Sequence, residues 1–468
     1  MTNSINGVSS SYSAQTYASL PSSVTTKPVA NWTTTDIAAI TKDDLLSLKP
    51  SMLTQMSTDQ LNTLKTEVFA ALSVTQVQAL SATQVSGLST TNVGALGSSQ
   101  LNALTSAQIK QMSTGQVNAI STTALTSVRG SQLALLTTQQ VSTLATSTVA
   151  GLSTAQIASL TTDQIVGLIG DQLKAMGDKI TGLTANQVAA IETQDLNTLT
   201  TTQVDSLTAT QVKSLTTTQL QNLTTDRMAA ITASDLAGLS SGQIASLTTG
   251  EIKNMTTAQV AALSKNQVQG LSTDQVRTLS SSQLQAMTTA AVAALTSSQL
   301  GGLDTTQVSK LTTSQAKALT AAQINSLSTE QVNAMTTGQI QALSNSQVKA
   351  LTTAQVAGLS TTQVSNLTTS QIAAMEVADV GALTSTQANS LTSGQVQALT
   401  VTQLKAVSTA TVAGLGTTQA KALTTTQVAA LSADQVKAMS TADVAALGTD
   451  QVKAGLCLGP PHRRWTWL

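Results

Sequence analysis

The stretch TTAQVAGL-STTQVSNL-TTSQIAAM (residues 352–375) contains three copies of one eight-residue pattern, [ST]-T-x-Q-[VI]-x-x-[LM]. The same octapeptide can be followed over residues 33–454. We number its positions 1 to 8, so that Ser360 is position 1, Gln363 is position 4 and Leu367 is position 8. A period this regular predicts one quasi-linear repeat array instead of several separate globular domains.

Each octapeptide carries the sequence signature of a helix start. Ser or Thr at position 1 with Gln at position 4 is a capping box, in which each residue's side chain binds the other's backbone N–H. Leu359 precedes the cap and Val364 is the fourth helical residue, which is the spacing of a hydrophobic staple. Val364 and Leu367 are three residues apart and therefore share one face of a helix. The pattern predicts a helix of about one and a half turns in every octapeptide.

The period also decides between fold classes. In one continuous helix the apolar stripe would drift by roughly 80° per octapeptide, so it could not stay buried. A strand needs alternation, and the spacing of positions 5 and 8 is odd. We therefore predict an all-α fold, an elongated solenoid of very short capped helices with one helix per repeat. A largely disordered stalk and a β-solenoid with ladders of hydroxyl and Gln side chains stay open as alternatives.

The pattern divides the chain into regions. Residues 1–32 are rich in Ser, Thr, Asn and Tyr and are predicted to be a disordered polar segment. Residues 33–72 are irregular first repeats, and residues 73–454 form the regular array, with one seven-residue unit at 177–183. Residues 455–468 do not continue the repeat. They are interpreted as out-of-frame sequence that truncates a longer array, or alternatively as a C-terminal cap.

Composition limits the possible functions. Hydrophobic residues make up 41 % of the chain but aromatic residues only 1 %, which predicts a thin aliphatic core. The net charge is zero, whereas a nucleic-acid-binding protein needs a basic stripe. No apolar run is long enough to cross a membrane. Cys457 and His462 are the single cysteine and the single histidine, which excludes an internal disulfide framework and a multi-histidine metal site.

We find no catalytic, cofactor-binding or metal-binding residues in the sequence, and we predict that the protein is not an enzyme and has no cofactor. The adjacent carboxylates Asp43 and Asp44 are interpreted as surface residues of an early repeat. Positions 2, 3, 6 and 7 vary and are predicted to face solvent. The rows of Gln and Ser/Thr are interpreted mainly as capping groups, with a repeated hydroxyl surface for polysaccharide or ice as the functional alternative.

Tandem units such as TTTQVAAL (residues 424–431) resemble the octapeptide arrays of large bacterial exoproteins and adhesins. The resemblance covers residues 33–454. It implies a secreted or surface protein in which the array serves as a spacer or an adhesive stalk. The haem-related label that such arrays sometimes carry has no support here, because one histidine near the C-terminus cannot supply a set of axial ligands.

We therefore predict a non-enzymatic structural or adhesive protein of the bacterial surface or exterior, which acts as a spacer or a repetitive binding surface. Its partner is unknown, and a cell-surface polysaccharide or protein is the expected class, with no nucleic acid and no transmembrane segment. Residues 1–32 lack the features of a Sec signal peptide, so export would use another route. The alternative is a cytoplasmic α-solenoid that binds a protein partner.

Overall fold

The computed structural model describes residues 27–456, and its regular secondary structure over these residues is helical throughout. The predicted all-α solenoid with about one short helix per repeat is confirmed. Over the described residues the disordered stalk and the β-solenoid are both wrong, because the octapeptides form short helices, most of them capped. The chain forms two compact halves, which we call the N-terminal half (Met1–Ile231) and the C-terminal half (Thr232–Leu468).

The octapeptide at residues 360–367 shows the local structure. Its helix is Thr361–Ser365, and the extended backbone of Ser360 starts it. The Ser360 N–H donates to Gln363 Oε1 at 2.9 Å, and the Gln363 N–H donates to Ser360 Oγ at 3.2 Å. The predicted capping box is therefore present. Asn366 is the C-cap of the helix, and Leu367, at position 8, leads through a bend into the next octapeptide.

The described part of the N-terminal half contains two 3₁₀ helices, Val29–Asn31 and Gly177–Gly182. Its α-helices are Thr34–Ala38, Lys42–Ser47, Pro50–Leu53, Thr58–Thr63, Thr66–Phe69, Val74–Ala79, Ala82–Ser86, Thr90–Gly94, Ser98–Leu101, Ser106–Gln111, Thr114–Ala119, Thr122–Thr126, Gly130–Leu133, Thr138–Ser142, Thr146–Gly151, Thr154–Ala158, Thr162–Val166, Gly170–Ala175, Ala185–Ala190, Thr193–Leu196, Thr201–Asp205, Ala209–Ser214, Thr217–Gln221 and Thr225–Ala230.

The described part of the C-terminal half contains the α-helices Ala233–Ala237, Ser241–Ser246, Thr249–Asn254, Thr257–Ala261, Lys265–Gly270, Thr273–Arg277, Ser281–Ala286, Thr289–Ala294, Ser297–Gly301, Thr305–Lys310, Thr313–Ala318, Ala321–Ser326, Thr329–Ala334, Thr337–Ala342, Asn345–Lys349, Thr353–Ala357, Thr361–Ser365, Thr369–Ala374, Val377–Gly381, Ser385–Ser390, Ser393–Ala398, Val401–Ala406, Thr409–Ala413, Thr417–Ala422, Thr425–Ala430, Ala433–Ala438, Thr441–Ala445 and Thr449–Leu456.

Within each half, the chain returns over itself after three to four octapeptides. The helix Thr361–Ser365 packs against Ser385–Ser390, which lies three octapeptides further along the chain. Gln363 also reaches back four octapeptides, where its Nε2 donates to the carbonyls of Val332 at 3.3 Å and Met335 at 2.7 Å. Side chains at positions 5 and 8 fill the space between successive turns and are buried along the array.

The first packed residues lie earlier than the sequence predicts. Residues 27–32 fall inside the segment predicted to be disordered, yet Val29 and Trp32 are each only 4 % exposed. Gln60 Nε2 donates to the carbonyls of both residues, at 3.2 Å and 2.9 Å. Val29 and Trp32 occupy positions 5 and 8 of a diverged octapeptide, which explains why they pack. Residues 1–26 lie outside the described residues, as do residues 457–468, where most of the non-repeat C-terminal region falls.

The short unit at 177–183 keeps its apolar residues in register. Gly177 adopts φ +56°, a left-handed conformation that favours glycine, and the chain passes there from the preceding α-helix into the 3₁₀ helix. Ile180 and Leu183 remain buried. Gln187 then reaches carbonyls 27 and 30 residues back, where regular octapeptides reach 28 and 31. The loss of one residue is therefore absorbed between the helices, and the core is not interrupted.

Candidate binding surface

The exposed face of the array is formed by positions 1, 2, 3 and 6. In the octapeptide at 360–367, Ser360, Thr361 and Thr362 are exposed, and Ser365 is half-buried. The position-1 hydroxyl is occupied in the cap, because Ser360 Oγ accepts a backbone N–H and lies 3.1 Å from Gln363 Oε1. Hydroxyls at positions 2 and 3 are therefore the repeated polar groups that a ligand could reach.

Position 7 differs from the prediction that it faces solvent, because it packs against position 2 of an earlier octapeptide. A Cβ atom added to Gly358 would lie 2.3 Å from Thr329 Cγ2. The same 29-residue relation holds for Gly302 and Thr273. A small residue at position 7 therefore makes room for a threonine methyl group, and the threonines at position 2 are partly structural.

Amide side chains at position 6 connect neighbouring turns at the surface. Asn325 Nδ2 donates to the carbonyl of Ala350 at 2.9 Å, and Gln285 Nε2 donates to that of Lys310 at 2.8 Å. Each bond spans 25 residues. The exposed face is thus a fixed array of small polar groups.

The Gln row does not belong to this surface. Gln363 is 3 % exposed, and the position-4 glutamines are buried in most octapeptides. Their Oε1 atoms cap their own helix and their Nε2 atoms donate to carbonyls four octapeptides earlier, so they do not form the ladder that the β-solenoid alternative required. One feature of the sequence indicates this second role, the donation of Nε2 to an earlier turn. Asp or Glu would also complete the capping box, yet position 4 is overwhelmingly Gln.

The pattern breaks at two octapeptides that begin with glutamate and carry aspartate at position 4. In the C-terminal half, Glu376 lies at the edge of a surface cavity of about 410 Å³ and pairs with Lys349 at 3.3 Å. In the N-terminal half, Glu192 lines a surface cavity of about 460 Å³. Burial raises the pKa of Asp379 to about 6 and that of Asp195 above its ordinary value, and the adjacent glutamate adds to each shift.

The paired carboxylates that the sequence placed at the surface are separated by the structure. Asp43 is exposed, whereas Asp44 is buried, and its Oδ2 accepts the Thr41 N–H at 2.9 Å. The interpretation of Asp44 as a surface residue is wrong, because it occupies the capping position 4. Residues 27–456 contain no group of three or more His, Cys, Asp or Glu side chains arranged to hold a metal ion. Cys457 and His462 lie outside the described residues.

None of the helices within the described residues has the length and apolar character needed to span a membrane. The fold and the repeated surface together define an α-helical repeat protein. The chain belongs to the ALTTAQ repeat family. The family pattern matches residues 86–114, 188–225, 228–265, 245–281, 279–313, 313–345, 345–376, 372–407, 402–433 and 429–454.

No curated protein matches the chain. Among solved structures, the chain is similar to one described as "Structure of APUM23-GGAAUUGACGG", with 11 % sequence identity and a TM-score of 0.18. That alignment covers 91 % of this chain and 92 % of the other. At this TM-score the likeness carries no argument about this protein.

Proposed function

We propose that this chain is a non-enzymatic structural or adhesive repeat protein of the bacterial surface or exterior, in which the array holds a repeated polar surface and acts as a spacer. The observation that supports this proposal is the regular bonding of each turn to the next. Gln363, Gln371 and Gln395 all donate to carbonyls 28 and 31 residues earlier. A chain built in this way has few places where a unique catalytic pocket could form.

The exposed groups support a weak, repeated mode of binding. Small hydroxyl and amide side chains predominate, and ion pairs are formed by Lys27 with Asp36 and by Lys349 with Glu376. Within residues 27–456 the aromatic side chains Trp32 and Phe69 are buried and the arginines are Arg129, Arg227 and Arg277, so this surface has few of the anchors that dominate tight protein interfaces. Polysaccharide, which offers repeated hydroxyl groups, is the class of partner that fits this chemistry, and many equivalent contacts would act together through avidity.

The proposal is tested with the native protein in its own cells. Antibodies against residues 232–456 should label intact cells or the culture medium, and the purified full chain should bind the cell-surface polysaccharide fraction. Thr361→Val and Thr362→Val, repeated at positions 2 and 3 of several octapeptides, should weaken that binding without changing the helical circular dichroism. Labelling that requires permeabilised cells would overturn the proposed location.

A cytoplasmic scaffold that binds a protein remains the second candidate, and the two irregular octapeptides favour it. The cavities beside Glu192 and Glu376 differ from the repeated surface, and each offers a partner protein a binding site that occurs once in its half. Capture of one partner from cytoplasm, lost on Glu376→Thr but kept on Glu330→Thr, would support this candidate. Glu330 is a matched control because it is an exposed glutamate in a regular octapeptide.

A further inference from the structure

Asp379 occupies a position that is built for a hydrogen-bond donor. It is position 4 of its octapeptide and is 3 % exposed. The glutamines of the flanking octapeptides, Gln371 and Gln387, each donate Nε2 to the carbonyls 28 and 31 residues earlier. The equivalent carbonyls for Asp379 are those of Val348 and Leu351.

An ionised aspartate cannot perform this role. The backbone N–H of Glu376 lies close enough to the Asp379 carboxylate to lower its pKa in part, but it forms no capping box there. Oδ2 of Asp379 is buried and has no hydrogen-bond partner. A buried carboxylate oxygen without a donor is strongly destabilising, and nearby carbonyl oxygens add repulsion. A neutral carboxylic acid, which has one O–H donor, removes both problems.

The charged groups around Asp379 leave it without a counterion. Glu376 lies three residues before it, and Lys349 on the helix Asn345–Lys349 is already paired with Glu376 at 3.3 Å. On the packed helix Val401–Ala406 the charged side chain is Lys405, which is exposed, and the packed helix Thr353–Ala357 carries no charge. Burial first, and then the charge of Glu376, raise the pKa of Asp379 to about 6.

We infer that Asp379 is a proton-binding site within the C-terminal half. In its neutral form the acid donates its O–H toward the carbonyls that a glutamine amide serves elsewhere, and the octapeptides at 344–351 and 376–383 stay joined. When Asp379 loses its proton, its buried carboxylate is charged and no longer has an O–H to donate to the earlier octapeptide. These two octapeptides therefore rarely separate in acid. At neutral pH they are the first part of the C-terminal half to open.

The pH range follows from the direction of the shift. The pKa of Asp379 in the folded chain, about 6, lies above its ordinary value of 3.8, so the folded state holds the proton more tightly than the unfolded state. The stabilisation is complete below about pH 4, decreases as the pH rises toward about 6, and is lost above that value.

A weaker counterpart lies in the N-terminal half, where Glu192 and Asp195 have the same spacing. Asp195 is only half-buried, and burial followed by the charge of Glu192 raises its pKa. Asp171 and Lys174 lie on one packed helix, and the other, Thr217–Gln221, carries no charge. Because Asp195 is more exposed, its pH dependence should be smaller than that of Asp379.

Hydrogen exchange of the full chain, read by mass spectrometry, tests this inference. After correction for intrinsic exchange, peptides covering 344–351 and 376–383 should open about 25-fold more often at about pH 7.5 than at about pH 4.5, which is the ratio that a pKa of about 6 in the folded chain and 3.8 in the unfolded chain gives between these pH values. Asp379→Gln restores the amide donor and should reduce this ratio to less than about threefold. Equal opening at both pH values, or an unchanged ratio in Asp379→Gln, would overturn the inference.

A reciprocal variant keeps the test decisive even where Asp379→Gln perturbs the fold. Gln363→Asp places the same carboxylate in a regular octapeptide, and peptides covering 328–335 and 360–367 should acquire the pH dependence. Asp434→Asn, at an exposed aspartate, is the matched control. It should not change the ratio of opening at the two pH values in either set of peptides. If Gln363→Asp loosens its octapeptide equally at both pH values, the proton has no role there and the inference fails.

Discussion

Asp36 and Asp379 hold the same position of the octapeptide at two places in the chain, yet their chemistry is opposite. At Asp36, the backbone N–H of Thr33 donates to Oδ2 at 2.8 Å and Lys27 lies 3.4 Å away. These contacts, the bond from Thr33 first, lower its pKa to about 2. At Asp379, burial and Glu376 raise the pKa to about 6.

The difference teaches that position 4 combines two separable roles. Capping needs only an acceptor, which aspartate supplies at both places. Joining one turn of the solenoid to an earlier turn needs a donor, which aspartate lacks. Asp36 has Lys27 3.4 Å from its Oδ2, so a carboxylate suits it. Asp379 holds the position from which Gln363 and its equivalents donate to carbonyls of an earlier turn, and its buried Oδ2 has no hydrogen-bond partner there.

The largest effect should come from removing both roles at once in an interior octapeptide. Gln363→Ala leaves the Ser360 N–H and the carbonyl of Met335 without these partners and removes one of the two bonds to the carbonyl of Val332, which should lower local stability by about 3 kcal/mol. Hydrogen exchange of peptides covering 328–335 and 360–367 measures the loss. Asp36→Ala, which removes a cap and a part-buried ion pair, is the comparison and should cost less. Equal losses would mean that joining the turns contributes nothing beyond capping.

The next effect concerns the contact between positions 7 and 2. Gly358→Ala would place Cβ 2.3 Å from Thr329 Cγ2, and this overpacking should lower stability by about 1–2 kcal/mol. Thr329→Ser removes that methyl group and keeps the hydroxyl, so the double variant should regain most of the loss. Urea unfolding of the single and double variants tests this. Gly301→Ala, where the added Cβ meets nothing within 4 Å, is the control.

Removing only the cap should have a smaller effect. Ser360→Ala keeps the Gln363 bonds to the earlier turn and loses the oxygen that accepts the Gln363 N–H, which should cost about 1 kcal/mol. The urea midpoint of the full chain carrying Ser360→Ala, compared with that of Gln363→Ala, gives the contribution of capping to stability relative to that of capping and turn joining together. A loss as large as that of Gln363→Ala would contradict their separation.

The smallest effect at neutral pH should come from Asp36→Asn, which keeps an acceptor for the cap. Its effect appears in acid. Because the pKa of Asp36 is lowered to about 2, its stabilising contribution is present above about pH 4 and is lost as the pH falls toward about 2. Unfolding midpoints across this range should fall less for Asp36→Asn than for the native chain. Lys27→Gln should weaken the same dependence, because it removes the neighbouring cation.

The repeat unit could be predicted because its signals are local. Ser360 and Gln363 form a capping box within four residues, and the spacing of Val364 and Leu367 fixes the buried face of a short helix. The packed octapeptide around Trp32 was missed because it shares the positions of Val29 and Trp32 with the pattern but not its capping residues. The exposed rows at positions 2 and 3 were predicted, whereas the packing of position 7 was not.

The sequence by itself determined the octapeptide, the one-helix-per-repeat architecture and the buried apolar positions 5 and 8, because capping and periodicity act within a few residues. Only the tertiary structure decided that the chain returns over itself after three to four octapeptides. The bonds that fix this spacing join residues 28 and 31 apart, and no eight-residue pattern specifies which earlier carbonyls a glutamine reaches. For the same physical reason, the sequence could not distinguish the aspartate at position 36 from the one at position 379.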